Sequence, residues 1–318
     1  MFYGIDCYRY LVPYGVCRGY RESQNAPSVP GTAGTQTRER RMQNNTMDRL
    51  TGTQLHERFE EMYRKYNRRE FVHPDPLEFV LRFEDPADQE VAGLIASALA
   101  YGRVGHILKS LEKIFDILKS PSADLKSMNR SDLLERFGLF RHRWTTGDEL
   151  VCLLRGMAIL REEYGSLENC FLEGLGEDDQ DVNPALVSFV ARLRLASGRR
   201  DSSMLACPSM GSACKRMFLY LRWMVRRDEV DPGPWTQVSS AQLIVPMDVH
   251  MHRVSRQLGL TSRKQADLKS ALEITGFFRG LVPEDPVRYD FALTRPGIRS
   301  QLDPATGFDQ FKAKSVQL

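Results

Sequence analysis

Apolar residues recur every three to four positions over most of the chain from residue 53 onward, and strict alternation is scarce. From about Thr53, the side chains of Leu55, Phe59, Met62, Tyr63 and Tyr66 fall on one side of a helix. The stretch DPADQEVAGLIASALAYGRVGHILKSLEKIFDIL predicts a long helical run with Asp85 as cap and Pro86 in the first turn. Ser131 is expected to cap SDLLERFGLF, and another helix runs from about Asp148 to Tyr164. After an acidic loop, GEDDQD, Asn183 is read as the cap of NPALVSFVARLRLA with Pro184 at its first position. The pattern predicts an all-α fold, a compact helical bundle, with no repeat at a solenoid period.

The ends differ from this body. Residues 24–46 are rich in Pro, Gly, Thr, Asn and Gln and lack periodicity, so too little apolar area is available to offset their ordering entropy. Residues 1–46 are therefore expected to be a disordered tail or an artefact of start assignment, residues 47–300 the domain, and residues 301–318 a C-terminal tail. Hydrophobic content of 42% and charged content of 27% are those of a soluble globular protein. The absence of a membrane-length apolar run and of a signal-like leader predicts a cytoplasmic protein with no membrane association. The six cysteines are scattered with no C-x-x-C pair, which argues against a disulfide framework or zinc ribbon. The net charge of +3 resides in the first 46 residues, where six arginines face three acids, so the domain itself is balanced. Overall charge therefore leaves nucleic-acid binding open, and only local charge can decide it.

Two segments carry the candidate chemistry. In MGSACKRMFLYLRWMVRR, Ser212 is read as the cap, which puts Lys215 at the third helical position while Met217, Leu221 and Met224 anchor the helix in the core. A cation in a first turn opposes the helix dipole, and that field with partial burial lowers an ammonium pKa, as a Schiff-base nucleophile requires. The alternative is a surface lysine beside Arg216 that faces solvent or phosphate. In LIVPMDVHMHRVSRQLGL, Pro246 stops an apolar run, Asp248 caps a helix from Val249 to about Leu258, and Gly259 closes it. His250 and His252 would lie about 200° apart on that helix and cannot chelate one ion. A metal-dependent hydrolase built on Asp248, His250 and His252 would need an extended backbone here. Arg253 and Arg256 share a face, and Arg216, Arg222, Arg226 and Arg227 add further positive charge around the two helix N-termini, which are phosphate-binding elements.

These segments resemble the helix-hairpin-helix DNA glycosylase superfamily. IVPMDVHMHRVSRQLGL is similar to its aspartate-bearing segment, with the match on Asp248, His250 and Arg253, and CKRMFLYLRWMV is similar to the helix after the hairpin, with Lys215 at the Schiff-base position. LIASALAYGRVGHILKSLEKIF resembles an early helix of the superfamily. The lysine-to-aspartate gap, 248 − 215 = 33, is similar to that of the archaeal 8-oxoguanine glycosylase branch. The stretch from about residue 47 to 300, including RHRW, LRWMVRRDEVDPGPW and PEDPVRYDFALTRPGI, also resembles a bacterial family of conserved proteins of unassigned function.

The resemblance implies two helical lobes flanking a cleft and double-stranded DNA with a damaged base or abasic site as partner. It also implies base extrusion, attack of Lys215 on the sugar C1′ with help from Asp248, and strand nicking by β-elimination. No four-cysteine cluster closes the chain, so no iron–sulfur centre or other cofactor is expected, and no metal. There are departures. Of the two hairpin glycines, CPSMGSACK keeps only Gly211, and the glutamine-bearing turn is replaced by AYGRVG, where Tyr101 or Arg103 would serve as the wedge. Arg143 and Trp144 of RHRW are candidates to line a base pocket. The competing reading is a non-catalytic nucleic-acid-binding protein of the same fold. No protein partner is implied.

Overall fold

The computed structural model describes residues 52–199, 202–210 and 212–300. The expected tails at 1–46 and 301–318, and Gly211, lie outside the described residues. Among the latter are thirteen α-helices and one two-stranded hairpin, so the protein is all-α. They belong to one compact unit, and none of the helices is long and apolar enough to cross a membrane.

In chain order the helices are α1 (Gly52–Tyr66), α2 (Leu77–Val80), α3 (Pro86–Ala98), α4 (Val104–Phe115), α5 (Pro121–Ser127) and α6 (Arg130–Phe137). The hairpin strands β1 (Arg141–His142) and β2 (Thr145–Thr146) follow, paired antiparallel with His142 opposite Thr145. Then come α7 (Gly147–Tyr164), α8 (Leu167–Leu172), α9 (Asn183–Ala196), α10 (Lys215–Val225), α11 (Val249–Gln257), α12 (Leu268–Leu281) and α13 (Asp290–Ser300).

The apolar run of α3 is buried from Glu90 to Ala98, which makes this helix the centre of the core. Gly93 lets α10 come close. A Cβ there would sit 2.6 Å from the terminal methyl of Met224 and 3.3 Å from the Tyr220 ring. Glu90, the one carboxylate on this buried face, accepts from the backbone N–H groups of Leu167 and Glu168 and from the Trp235 indole. It thus serves the N-terminus of α8, and burial still raises its pKa against those donors.

Several boundaries differ from the sequence reading, each for a local reason. The run after Asp85 is two helices, because Gly102 at φ 99 turns the chain between α3 and α4. Asn129, not Ser131, caps α6 in a capping box with Asp132, and Thr146 forms a second box with Glu149 ahead of α7. Val182 is the cap of α9, so Asn183 already lies within the helix. Cys214, in the left-handed conformation at φ 44, precedes α10, so Lys215 is its first residue rather than its third.

Candidate active site

A groove of about 920 Å³ opens where the N-termini of α4, α10 and α11 meet the body of α13. Asp248 is the N-cap of α11 as its sequence position predicts: its side chain accepts from the N–H groups of His250 (2.9 Å) and Met251 (2.8 Å). The other carboxylate oxygen lies 3.2 Å from Nζ of Lys215. Burial works against the charge of Asp248, but the Lys215 ammonium and the Met251 N–H outweigh it and hold the carboxyl below its ordinary range. Two residues 33 positions apart (248 − 215) thus meet in one groove, with the lysine side chain still 35% exposed.

The backbone around this pair favours anions. The first N–H groups of a helix have no partner within it, and neither Arg103 ahead of α4 nor Cys214 ahead of α10 supplies a side-chain cap. Gly105, in the first turn of α4, has open space where a Cβ would be, so a ligand can approach the backbone closely. Arg103 and His106 line the same wall.

His250 faces the groove from α11, half-buried, and its Nδ1 is buried without a hydrogen-bond partner. Burial lowers its pKa, Arg253 and Lys215 lower it further, and Asp248 pulls the other way. The imidazole is therefore neutral at pH 7. His252 is turned elsewhere and donates from Nε2 to the Arg263 carbonyl at 3.1 Å. The triad Asp248–His250–His252 required by a metal hydrolase is not assembled, and no cluster of metal-ligating residues occurs among the described residues.

The positive charge expected around the lysine is distributed differently. Arg222 is buried and pairs with Asp231 and Asp290; Arg226 is buried and pairs with Asp228, Asp231 and Asp285. These two arginines tie α10 to α13 and to the loops ahead of it instead of meeting phosphate. Arg216 is also spent internally. It donates to the carbonyls of Ala98 (2.7 Å) and Ser203 and rests over the Tyr101 ring. Arg253 and Arg256 are exposed on α11.

Tyr101 is fixed rather than free to insert as a wedge. Its hydroxyl donates to the His142 carbonyl (2.9 Å) and meets Thr145 Oγ1 at 2.6 Å, and its ring stacks on Trp144. Arg143 and Trp144 lie at the tip of the β1–β2 hairpin and do not line the groove. The sequence reading missed the α13 wall, Asp290 and Arg295, and the Asp75 that pairs with Arg295. Burial pushes the Asp290 carboxyl up to about 6, with Arg222 opposing.

A family model described as "Protein of unknown function (DUF2400)" matches residues 75–299, which takes in every groove residue named here. No curated protein and no solved structure matches the chain.

Proposed function

The chain belongs to the DUF2400 family of proteins of unknown function, and we propose that this member is a DNA N-glycosylase with abasic-site lyase activity through Lys215. The observation that carries the reading is the amine of Lys215 held 3.2 Å from Asp248 at an exposed groove, between helix ends that have no side-chain caps. Phosphates flanking a damaged nucleotide would lie against the first turns of α4 and α10.

With its proton passed to the neutral imidazole of His250, the Lys215 amine attacks C1′ of the sugar. The C–N bond to the base breaks, and the bond's electron pair leaves with the base nitrogen, which takes up a proton from solvent. Asp248 keeps its charge because its proton affinity is low, and it stabilises the positive charge that builds on the sugar. The C1′–O4′ bond then breaks, O4′ takes the proton that leaves the lysine nitrogen, and a Schiff base forms between Lys215 and C1′. Loss of a C2′ proton then expels the 3′ phosphate, and hydrolysis frees the lysine.

Incubation with an abasic-site duplex and borohydride tests this. The wild type should form a covalent adduct, Lys215→Ala none, and Asp248→Asn about 100-fold less per unit time. The closed Lys215–Asp248 ion pair also fits a non-catalytic DNA-binding protein. That second reading holds if both variants keep wild-type DNA affinity and no variant, nor the wild type, gives an adduct on any lesion.

A further inference from the structure

Of the three tryptophans, Trp223 and Trp235 are 0% and 3% exposed, whereas Trp144 is 57% exposed at the hairpin tip. Leu139, Leu195 and Val249 are more exposed still, so it is the setting of Trp144 and not its exposure that sets it apart. Its ring is rigidly placed. It lies parallel to Tyr101 at 4.8 Å between centroids and 21° between planes, with the Arg143 guanidinium 4.7 Å over it and the Arg216 guanidinium 5.2 Å over Tyr101. This ladder of cation, ring, ring and cation begins at the residue next to Lys215 and ends in solvent.

The backbone is bent to build it. Arg143 adopts φ 54, a left-handed conformation that strains a residue bearing a side chain. Gly102, at φ 99, makes room: a Cβ there would lie 2.8 Å from an Arg143 guanidinium nitrogen. The hairpin is secured from behind. His142 is buried and donates from Nε2 to the Tyr101 carbonyl, which leaves its Nδ1 to accept from Ser110. A strained, braced and exposed aromatic with the Arg143 guanidinium at its solvent end matches a nucleobase, whose flat face stacks and whose adjoining phosphate is anionic, while Arg216, held by the Ala98 and Ser203 carbonyls, anchors the inner end of the stack. An apolar peptide would find guanidinium groups where it needs hydrocarbon.

We propose that Trp144, supported by Tyr101, is a stacking platform for an unpaired nucleobase of the strand whose sugar enters the groove. The Arg143 guanidinium lies over the ring in the free protein, yields that place to the base and turns to the adjoining phosphate. The choice of a nucleic-acid ligand rests on the function proposed above; the platform itself does not require lyase chemistry.

The test is titration of the full chain with a single-stranded oligothymidylate, followed by tryptophan emission and by the anisotropy of a labelled strand. A stacked base should quench the exposed indole saturably, at the same midpoint as the anisotropy change. Trp144→Leu should bind about ten-fold more weakly and Trp144→Phe only slightly more weakly, both with wild-type melting temperatures. Equal affinity of wild type and Trp144→Leu, or quenching that persists in Trp144→Leu, overturns the platform. Quenching in the wild type together with no borohydride adduct would remove the lyase reading and leave the platform standing. An adduct whose yield is indifferent to Trp144, with no quenching, gives the reverse result.

Discussion

Lys215 and Arg216 are neighbours in sequence, yet one opens to the groove while the other is drawn into the body of the protein. The lysine meets Asp248 across the groove, whereas the arginine binds the carbonyls that end α3 and precede α10. Their roles in stability should separate accordingly. Arg216→Ala removes two charge-assisted hydrogen bonds of about 1.5–3 kcal/mol each and should lower stability by about 3–6 kcal/mol. Lys215→Ala breaks an ion pair whose lysine is partly exposed and should cost less than about 1 kcal/mol. Urea unfolding of both variants checks this, and equal losses would refute the division.

The charge of Asp248 should appear as a pH-dependent difference between wild type and Asp248→Asn. Asparagine keeps the cap to His250 and Met251 but not the attraction to Lys215. Because the folded pKa lies below the unfolded value near 3.9, the carboxylate's contribution is complete above that value and is lost as pH falls through the lowered folded one. The expected gap is about 1 kcal/mol at pH 7, closing as pH falls below the ordinary carboxylate range. Melting temperatures from pH 7 to pH 2.5 measure it; a gap that widens toward acid would reverse the sign and sink the assignment.

On the proposed chemistry, His250 sets the acid side of the pH–rate profile. Its pKa is lowered, so adduct formation should hold steady from pH 8 down to about 6.5 and fall only below that value. Asp290, pushed up to about 6, faces the same groove and must be tested beside it. His250→Gln should slow trapping and flatten the acid limb, while Asp290→Asn should leave the limb in place. The opposite pattern would move the proton acceptor to α13.

Arg222 should be the costliest single side chain of α10 to remove. Arg222→Met leaves Asp290 buried without its arginine and Asp231 with Arg226 alone, and breaking a buried pair from one side costs about 3–5 kcal/mol. Adding Asp290→Asn should recover part of that loss. Denaturant midpoints of the single and double variants decide it, and additive losses would mean that the two residues do not interact.

What could be read from the sequence was what is local. Asp248 as a cap and the amphipathic faces depend on residues within one turn of each other, and there the reading and the structure agree. Lys215 fell two places off because its helix starts only after Cys214, whose left-handed backbone carries no side-chain signature. Arg222 and Arg226 looked like a basic surface because Asp285 and Asp290 lie about sixty positions on, and because the nearer partners, Asp228 and Asp231, reach them only through a loop that folds back on α10 and has no periodic signal. The ladder on Trp144 joins residues from three separate segments, and its strands are only two residues each, too short for any periodicity. The Lys215–Asp248 meeting was anticipated from the two candidate helix N-termini taken together and from the resemblance of their segments, not from the spacing alone.

The two helix ends at the groove that have no side-chain acceptor have a consequence for any solution in which the protein is studied. Without a strand, those N–H groups are served by water and by whatever small anions the buffer offers. Sulfate and inorganic phosphate should therefore compete for the groove more strongly than chloride at equal ionic strength. Measured affinity would then depend on the identity of the anion as well as on its concentration, a dependence that buried arginines cannot produce because no ion reaches them.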